Sequence, residues 1–252
     1  MKIENTKKQL ITNLESWKTA FIEVDKKKNW EEGRSACTLA KYFTTPNIEE
    51  SDGIEKIKEY FKALGFSNPK FEYAEIEHRS PFDKYKGGTR MQDLVIWGES
   101  EKGRILTCIE AKVDEEFNEL LNDAYDTAKQ EKIKYPNSNA QKRIEELCDK
   151  YLNVSAESIN SEDENNIRYQ LLYYLAGSVC EAKEYGNVVF MPIMVFKTDE
   201  YNKTKGKRNR EDYEQFIEAL KFEKCNKEKG IFKRTFEGID VYISYIEIDF
   251  EN

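Results

Sequence analysis

The chain of 252 residues has a length that suits one α/β domain with elaborations, or one domain with a helical insert. Hydrophobic residues make up 39% and charged residues 35%, so the chain can bury a core beneath a heavily charged surface. A formal net charge of −8 disfavours a protein that simply coats nucleic acid, although a local basic patch would still permit binding.

The first part of the chain has helical spacing. Apolar residues recur every three to four positions over residues 5–22, which predicts a helix there. Ser35 is a suitable N-cap for a short helix that reaches Phe43, and a third helix is expected over 54–64 before Gly65. We therefore expect a helical N-terminal extension over residues 1–50.

Three strands are predicted next. The first lies near Phe71 to Ile76, the second over Leu94 to Trp97, and the third over Ile105 to Val113. The stretch Glu99 to Gly103 between the second and third strands has the composition of a hairpin turn. The third strand is apolar almost throughout, as expected of a buried central strand.

The remainder of the chain returns to helices and ends in strands. Helices are expected over 115–135, 139–152, 167–184 and 211–221, with strands over 188–196, 231–236 and 239–248. Basic residues from Lys203 to Arg210 predict a loop. The order predicts one α/β domain over 1–252, with a mixed four- to five-stranded sheet flanked by helices. Its core would cover about 51–197, and 198–252 would form a small C-terminal strand appendage.

Two carboxylates and one ammonium are expected to meet at one end of the sheet. Glu110 and Lys112 share a face of the third strand, because side chains alternate along a strand. Asp93 opens the second strand, so a hairpin between the strands brings it across from Glu110 and Lys112. Buried charges of this kind are costly unless they pair or bind a metal.

This set of groups suits metal-dependent hydrolysis. Asp93, Glu110 and the backbone carbonyl of Ala111 offer hard oxygen ligands for Mg²⁺ or Mn²⁺. A bound metal can hold a phosphate and activate water, and Lys112 can stabilise developing negative charge. The expected chemistry is hydrolysis of a phosphodiester bond.

The pattern resembles the PD-(D/E)XK superfamily of restriction-endonuclease-like nucleases, over about residues 51–197. Asp93 and Glu110 match its metal ligands and Lys112 matches its catalytic lysine, although Gln92 stands where the family name has proline. The resemblance implies a restriction-endonuclease-like core, Mg²⁺ or Mn²⁺ as cofactor, and DNA as the nucleic-acid partner in bacterial defence, restriction or repair. It also implies that cleavage of a duplex can use a homodimer.

The resemblance suggests further site residues. The family often adds an acid from the first helix, for which Glu55, Glu59 and Glu32 are all candidates. It also often carries a Gln or Tyr on the helix after the third strand, and Gln170 is the best match, although packing or capping explains it equally well.

Several charged groups have a structural alternative. Asp93, Glu110 and Lys112 could form a structural salt-bridge cluster. We favour a catalytic role, because a Glu-x-Lys sequence on an otherwise apolar strand is more readily explained by function. Asp114 to Glu116 fit a helix start better than a second metal site. His78 is expected at the surface. The basic run supplies four candidates for phosphate contact, although a solvated loop is the favoured interpretation: Lys205, Lys207, Arg208 and Arg210.

The expected location is cytoplasmic. Five scattered cysteines without a CxxC pair, and a single histidine, indicate reduced thiols rather than a zinc site. The N-terminus lacks the apolar run of a signal peptide, and no segment approaches the roughly 20 apolar residues of a membrane span. The leading functional hypothesis is a metal-dependent nuclease, and the alternative is the same fold kept as a module that binds nucleic acid or protein without cleavage.

Overall fold

A mixed β-sheet forms the centre of the molecule. The computed structural model describes residues 1–25, 30–85, 89–159 and 167–251. The strands are β1 (Lys2–Asn5), β2 (Leu10–Ile11), β3 (Lys70–Pro81), β4 (Thr89–Ser100), β5 (Gly103–Lys112), β6 (Val188–Lys197), β7 (Glu223–Asn226), β8 (Ile231–Phe236) and β9 (Ile239–Asp249). The described residues form one nine-stranded sheet in the order β2-β1-β3-β4-β5-β6-β9-β8-β7. The α/β prediction is confirmed, whereas the predicted count of four to five strands is wrong.

Helices cover both faces of this sheet. They are α1 (Leu14–Asp25), α2 (Ser35–Thr44), α3 (Asp52–Ala63), α4 (Leu121–Lys134), α5 (Ala140–Leu147), α6 (Tyr169–Tyr185) and α7 (Lys203–Ala219), with a π-helical turn over Cys148–Leu152. One core lies between the sheet and α1–α3, and a second lies between the sheet and α4–α7. No helix in the described part of the chain combines the length and the apolar character that a bilayer span needs.

The N-terminal segment contains strands as well as helices, which corrects the predicted helix over 5–22. Asn5 organises a turn, since its side-chain oxygen accepts hydrogen bonds from the backbone N–H groups of Lys7 and Gln9, both at 3.0 Å. The turn lets β2 pair with β1, and β1 then pairs in parallel with β3. The helix starts only at Leu14, because this local hydrogen bonding competes with helix formation.

The predicted C-terminal appendage is part of the main sheet. Strand β9 lies beside β6 and pairs with it in parallel from Val188↔Asp240 to Lys197↔Asp249. Val241 and Ile243 face one core and Ile246 faces the other, as expected of a strand buried on both sides. Hydrophobic spacing predicted this strand but could not show its partner, because the pairing is set by tertiary contacts.

The basic run Lys203 to Arg210 is the first half of α7 rather than a loop. The Asn202 side chain caps this helix by accepting hydrogen bonds from the N–H groups of Thr204 and Lys205, at 3.0 and 3.1 Å. Lysine and arginine are good helix formers, so a charge run is compatible with a capped helix. The predicted loop is therefore wrong, because the Asn202 cap and the helix propensity of these residues favour a helix.

Candidate active site

The candidate site lies where β4 and β5 separate. Their antiparallel ladder runs from Ser100↔Gly103 to Leu94↔Ile109. At the next position a side-chain contact replaces the backbone pairing. The Oδ2 atom of Asp93 accepts a hydrogen bond from the Ala111 N–H at 2.7 Å. Asp93 therefore lies beside the Glu110–Lys112 segment, although it sits inside β4 and does not open the strand as predicted.

Glu110 is buried and is held from several directions. Its Oε1 accepts a hydrogen bond from the Gln170 amide at 2.7 Å and lies 2.9 Å from the Lys112 ammonium. Its Oε2 pairs with the guanidinium of Arg90. Gln170 is itself fixed, since its Oε1 accepts the N–H of Asn118 at 3.1 Å. The structure thus brings Glu110, Lys112 and Gln170 into direct contact.

Sequence reasoning missed Arg90. The side chain is buried, and its guanidinium carbon lies 5.3 and 5.7 Å from the ring centroids of Tyr173 and Tyr174 on α6. Gly177 permits this packing, because a Cβ there would lie only 3.0 Å from the Cβ of Arg90. An arginine two residues after Gly88 is not a recognisable signal in the sequence, but a glycine inside the apolar stretch of α6 indicates a close approach of another segment.

The two carboxylates have opposite electrostatic environments. Burial raises the pKa of Asp93 to about 7, with a further contribution from the neighbouring charge of Glu110. Burial also disfavours ionised Glu110, but Arg90 and Lys112 outweigh it and lower the pKa of that carboxyl. The negative charge of Glu110 is therefore well compensated, whereas that of Asp93 is not.

A cavity of about 460 Å³ adjoins Asp93. It lies between the sheet and the first two helices, and is lined by Trp17, Phe21, Glu31, Arg34, Ser35, Ala36, Leu39, Glu77, Arg90, Met91, Asp93 and Glu115. Four of these side chains are acidic and two are basic, so the wall carries an excess of carboxylates. An excess of this sign attracts cations.

Glu115 links the cavity to α2. Its Oε1 accepts the hydroxyl of Ser35 at 2.7 Å, and its Oε2 accepts the N–H of Val113 at 2.8 Å. Arg34, next to Ser35, pairs with Asp114. Asp114 and Glu115 therefore fasten the start of α2 to the end of β5. They do not begin a helix as predicted, since α4 starts only at Leu121.

Residues 10–250 match the model of a family described as Domain of unknown function (DUF6946). The chain belongs to the DUF6946 family. Comparison with curated proteins and with solved structures gives no match.

The proposed additional acids lie away from Asp93 in this DUF6946 domain. Glu55 and Glu59 line a separate surface cavity that also includes Glu247 of β9. Glu59 pairs with Lys229 and lies 3.2 Å from the ammonium of Lys56. Glu32 pairs with Lys41, and Glu31 rather than Glu32 reaches the cavity beside Asp93. The acid that does lie across from Asp93 is Glu77, which sequence reasoning did not select.

The four basic candidates on α7 all have acidic neighbours. The ammonium of Lys205 lies 3.8 Å from Asp114, and Arg208 lies 2.9 Å from Glu116, so both are near the end of β5. Further along the helix, Lys207 lies 3.5 Å from Glu211, and Arg210 lies 3.8 Å from Glu247 and over the ring of Tyr245. Of the four, only Lys205 and Arg208 lie near the candidate site.

A divalent cation is chemically suited to this site. Within the described ranges, no group of three or more His, Cys, Asp or Glu side chains is already arranged to hold a metal ion. The donors at the strand separation are nevertheless carboxylate oxygens, and the Asp93 carboxylate lacks the compensation that Glu110 has. A cation beside Asp93 would supply that compensation.

The prediction that His78 lies at the surface is wrong, because its side chain is largely buried on β3. Its Nδ1 lies 2.7 Å from Glu75, and its Nε2 lies 2.8 Å from Glu181 on α6. Burial lowers the pKa of His78, but these two carboxylates outweigh it and raise the pKa to about 9. Glu75 also contacts Lys8 and Tyr73, at 2.8 Å each. The histidine thus fastens β3 to α6.

His78 should make stability depend on pH. A histidine with a pKa raised from 6.5 to about 9 stabilises the fold fully below pH 6.5, and that contribution disappears as pH rises through 9. We expect the free energy of unfolding to fall by about 3 kcal/mol across this range because of His78. Urea unfolding of wild type and His78→Gln at several pH values measures the difference. Parallel pH profiles for the two proteins would refute the assignment.

Proposed function

We propose that this chain is a metal-dependent nuclease that hydrolyses phosphodiester bonds, with DNA as the favoured substrate. The observation that carries the proposal is the meeting of Asp93 with Glu110 and Lys112 where β4 and β5 separate, next to an acidic cavity. The resemblance to PD-(D/E)XK nucleases rests on these same residues. The proposal therefore depends on the chemistry of these residues and not on the family match, because the DUF6946 description assigns no function.

Asp93 and Glu110 would hold Mg²⁺ or Mn²⁺, with the carbonyl of Ala111 as a further donor. The bound ion would bind the phosphate and lower the pKa of a water molecule. Gln170 fixes the orientation of Glu110 through the 2.7 Å hydrogen bond. Preorganised donors of this kind reduce the rearrangement needed during reaction.

Lys112 would stabilise negative charge at the scissile phosphate. Its ammonium lies 2.9 Å from Glu110 and 5.4 Å from the ring centroid of Phe117, so its position is restricted. Glu110 and Asp93 outweigh burial and raise the pKa of this ammonium. A fixed cation next to a carboxylate is suited to electrostatic stabilisation.

A specific observation supports the alternative of a binding module without cleavage. Both oxygens of Glu110 already have partners in the described structure: Arg90 on one, and Lys112 with Gln170 on the other. A metal that coordinates Glu110 must share or displace at least one of these contacts. A protein in which all of them persist would bind its partner without hydrolysing it.

Incubation with DNA separates these functions. Supercoiled plasmid and single-stranded DNA are incubated with the protein in Mg²⁺ or Mn²⁺, and in a chelator as control. The nuclease proposal predicts nicking or shortening that requires the metal. Retention of DNA in a mobility-shift assay with no cleavage in either metal would instead favour the binding module.

A further inference from the structure

A second cavity, of about 490 Å³, lies between α7 and the last three strands. Its apolar and aromatic lining comes from Tyr213 and Ile217 of α7, Phe232 of β8 and Tyr245 of β9. The cavity shares no lining residue with the one beside Asp93. Its volume falls in the range of small-molecule sites, roughly 300–1,000 Å³. It is therefore a candidate binding site separate from the proposed active site.

The hydroxyl of Tyr213 is buried without a partner. Only 2% of this residue is exposed, and its hydroxyl oxygen has no hydrogen-bond partner among the residues that the structure describes. The neighbouring Tyr245 differs, since its hydroxyl donates to the carbonyl of Gly206 at 3.3 Å. A buried hydroxyl without a hydrogen bond lowers stability and is uncommon in native proteins. At the wall of a cavity, such a group is available to a ligand.

The missing partner of Tyr213 is a hydrogen-bond acceptor. Burial raises the pKa of this hydroxyl, so it stays protonated at neutral pH. The backbone N–H of Tyr245 opposes that shift, but an N–H group only donates and cannot accept the hydroxyl hydrogen. A ligand that satisfies Tyr213 must therefore present a carbonyl oxygen or an unprotonated ring nitrogen.

The aromatic side chains indicate the shape of the ligand. The ring centroid of Tyr213 lies 5.4 Å from that of Tyr245 and 6.3 Å from that of Phe232. The guanidinium carbon of Arg210 lies 4.4 Å from the Tyr245 centroid, and the ammonium of Lys224 lies 5.0 Å from the Phe232 centroid. Aromatic rings and guanidinium groups both pack well against flat rings. The lining therefore suits an aromatic ligand.

The charges around the cavity are nearly balanced. Arg210 lies 3.8 Å from Glu247, and Lys229 pairs with Glu59, so two of the cations have acidic partners that are not part of the lining. A balanced rim attracts neither strong anions nor strong cations, which favours a ligand with little net charge. The lining contains four cations and three carboxylates: Arg210, Lys224, Lys227 and Lys229, with Glu214, Glu218 and Glu228.

We propose that this cavity binds a small uncharged compound with the chemistry of a nucleobase, such as a nucleoside, and that the Tyr213 hydroxyl donates a hydrogen bond to an acceptor on its ring. The flat ring packs among the aromatic side chains, and the acceptor satisfies the buried hydroxyl. The inference is independent of the proposed nuclease function, because the two cavities have different lining residues.

Binding of nucleosides tests the proposal. Adenosine, guanosine, cytidine, uridine and thymidine are titrated into the protein by calorimetry in a chelator, so that no metal site contributes. At least one should bind with a Kd below about 1 mM. Tyr213→Phe removes only the hydroxyl and should weaken that binding about tenfold. Tyr151→Phe is the matched control, since it removes a buried unpartnered hydroxyl that does not line this cavity. It should bind as wild type does.

Melting temperature without ligand tests whether the Tyr213 hydroxyl lacks a partner. Tyr213→Phe should raise the melting temperature by about 2–4 °C, because it removes an unsatisfied polar group. Tyr174→Phe should lower it, since the Tyr174 hydroxyl donates to the Cys108 carbonyl at 2.6 Å. A Tyr213→Phe protein that melts below wild type would show that an ordered water already satisfies the hydroxyl, and would overturn the proposal.

The binding results decide the rest. The proposal is refuted if none of the five nucleosides binds, or if Tyr213→Phe binds them as tightly as wild type. Nucleoside binding by a protein that cleaves no DNA would leave the inference standing while the nuclease proposal fails.

Discussion

Replacement of Asp93 by asparagine should abolish metal-dependent cleavage and leave the fold at least as stable as wild type. Asparagine keeps an oxygen that can accept the Ala111 N–H, so the separated strands remain tied. The substitution removes a carboxylate whose charge is disfavoured by burial and by Glu110. A bound metal contributes several kcal/mol to catalysis, so we expect the cleavage rate to fall about 10³-fold or more.

The measurement pairs two readouts on the same preparations. Cleavage of labelled DNA in Mg²⁺ gives the rate, and thermal unfolding in a chelator gives the stability. Asp199→Asn is the control, because Asp199 is an exposed aspartate just beyond β6. Cleavage by Asp93→Asn at the wild-type rate would show that Asp93 is not a metal ligand.

Replacement of Glu110 by glutamine should instead destabilise the protein strongly. Glu110 is the shared partner of Arg90 and Lys112, and all three side chains are at least nine-tenths buried. Glutamine leaves two buried cations without their carboxylate. Breaking a buried ion pair from one side costs about 3–5 kcal/mol, and we expect a loss of that size in urea unfolding.

A double variant tests the cause of this loss. Arg90→Met combined with Glu110→Gln removes one of the two buried cations that have lost their carboxylate partner. The double variant should therefore recover part of the stability lost in Glu110→Gln. Glu119→Gln, at an exposed glutamate, should stay close to wild type. A Glu110→Gln protein within about 1 kcal/mol of wild type would contradict the electrostatic account of the site. The expected instability also makes Asp93→Asn the better variant for testing catalysis.

The sequence predicted the residues of β5 well because their pattern is local. An apolar strand that carries Glu110 and Lys112 on one face is visible from alternation alone, and so is the apolar helix that carries Gln170. The approach of Asp93 to this segment also followed from a hairpin with a short turn. These features depend on spacing along the chain.

Features that depend on the three-dimensional arrangement were missed. Arg90 pairs with Glu110 at a place where β4 packs closely on α6 beside Gly177, and neither contact is visible in the sequence. Glu77 lines the cavity from within β3 with a left-handed φ of 50°, and its residue type does not signal that conformation. Strand β9 was recognised as a strand but not as the neighbour of β6, because parallel pairing across long separations leaves no local pattern.

The most direct measurement of the central claim is a crystal structure of the protein soaked with Mn²⁺, in which anomalous scattering locates the ion. The nuclease account predicts an anomalous peak within coordinating distance of the Asp93 and Glu110 carboxylates, at the separation of β4 and β5. A fully ordered site at which Mn²⁺ produces no peak, with Arg90 still paired to Glu110, would contradict it.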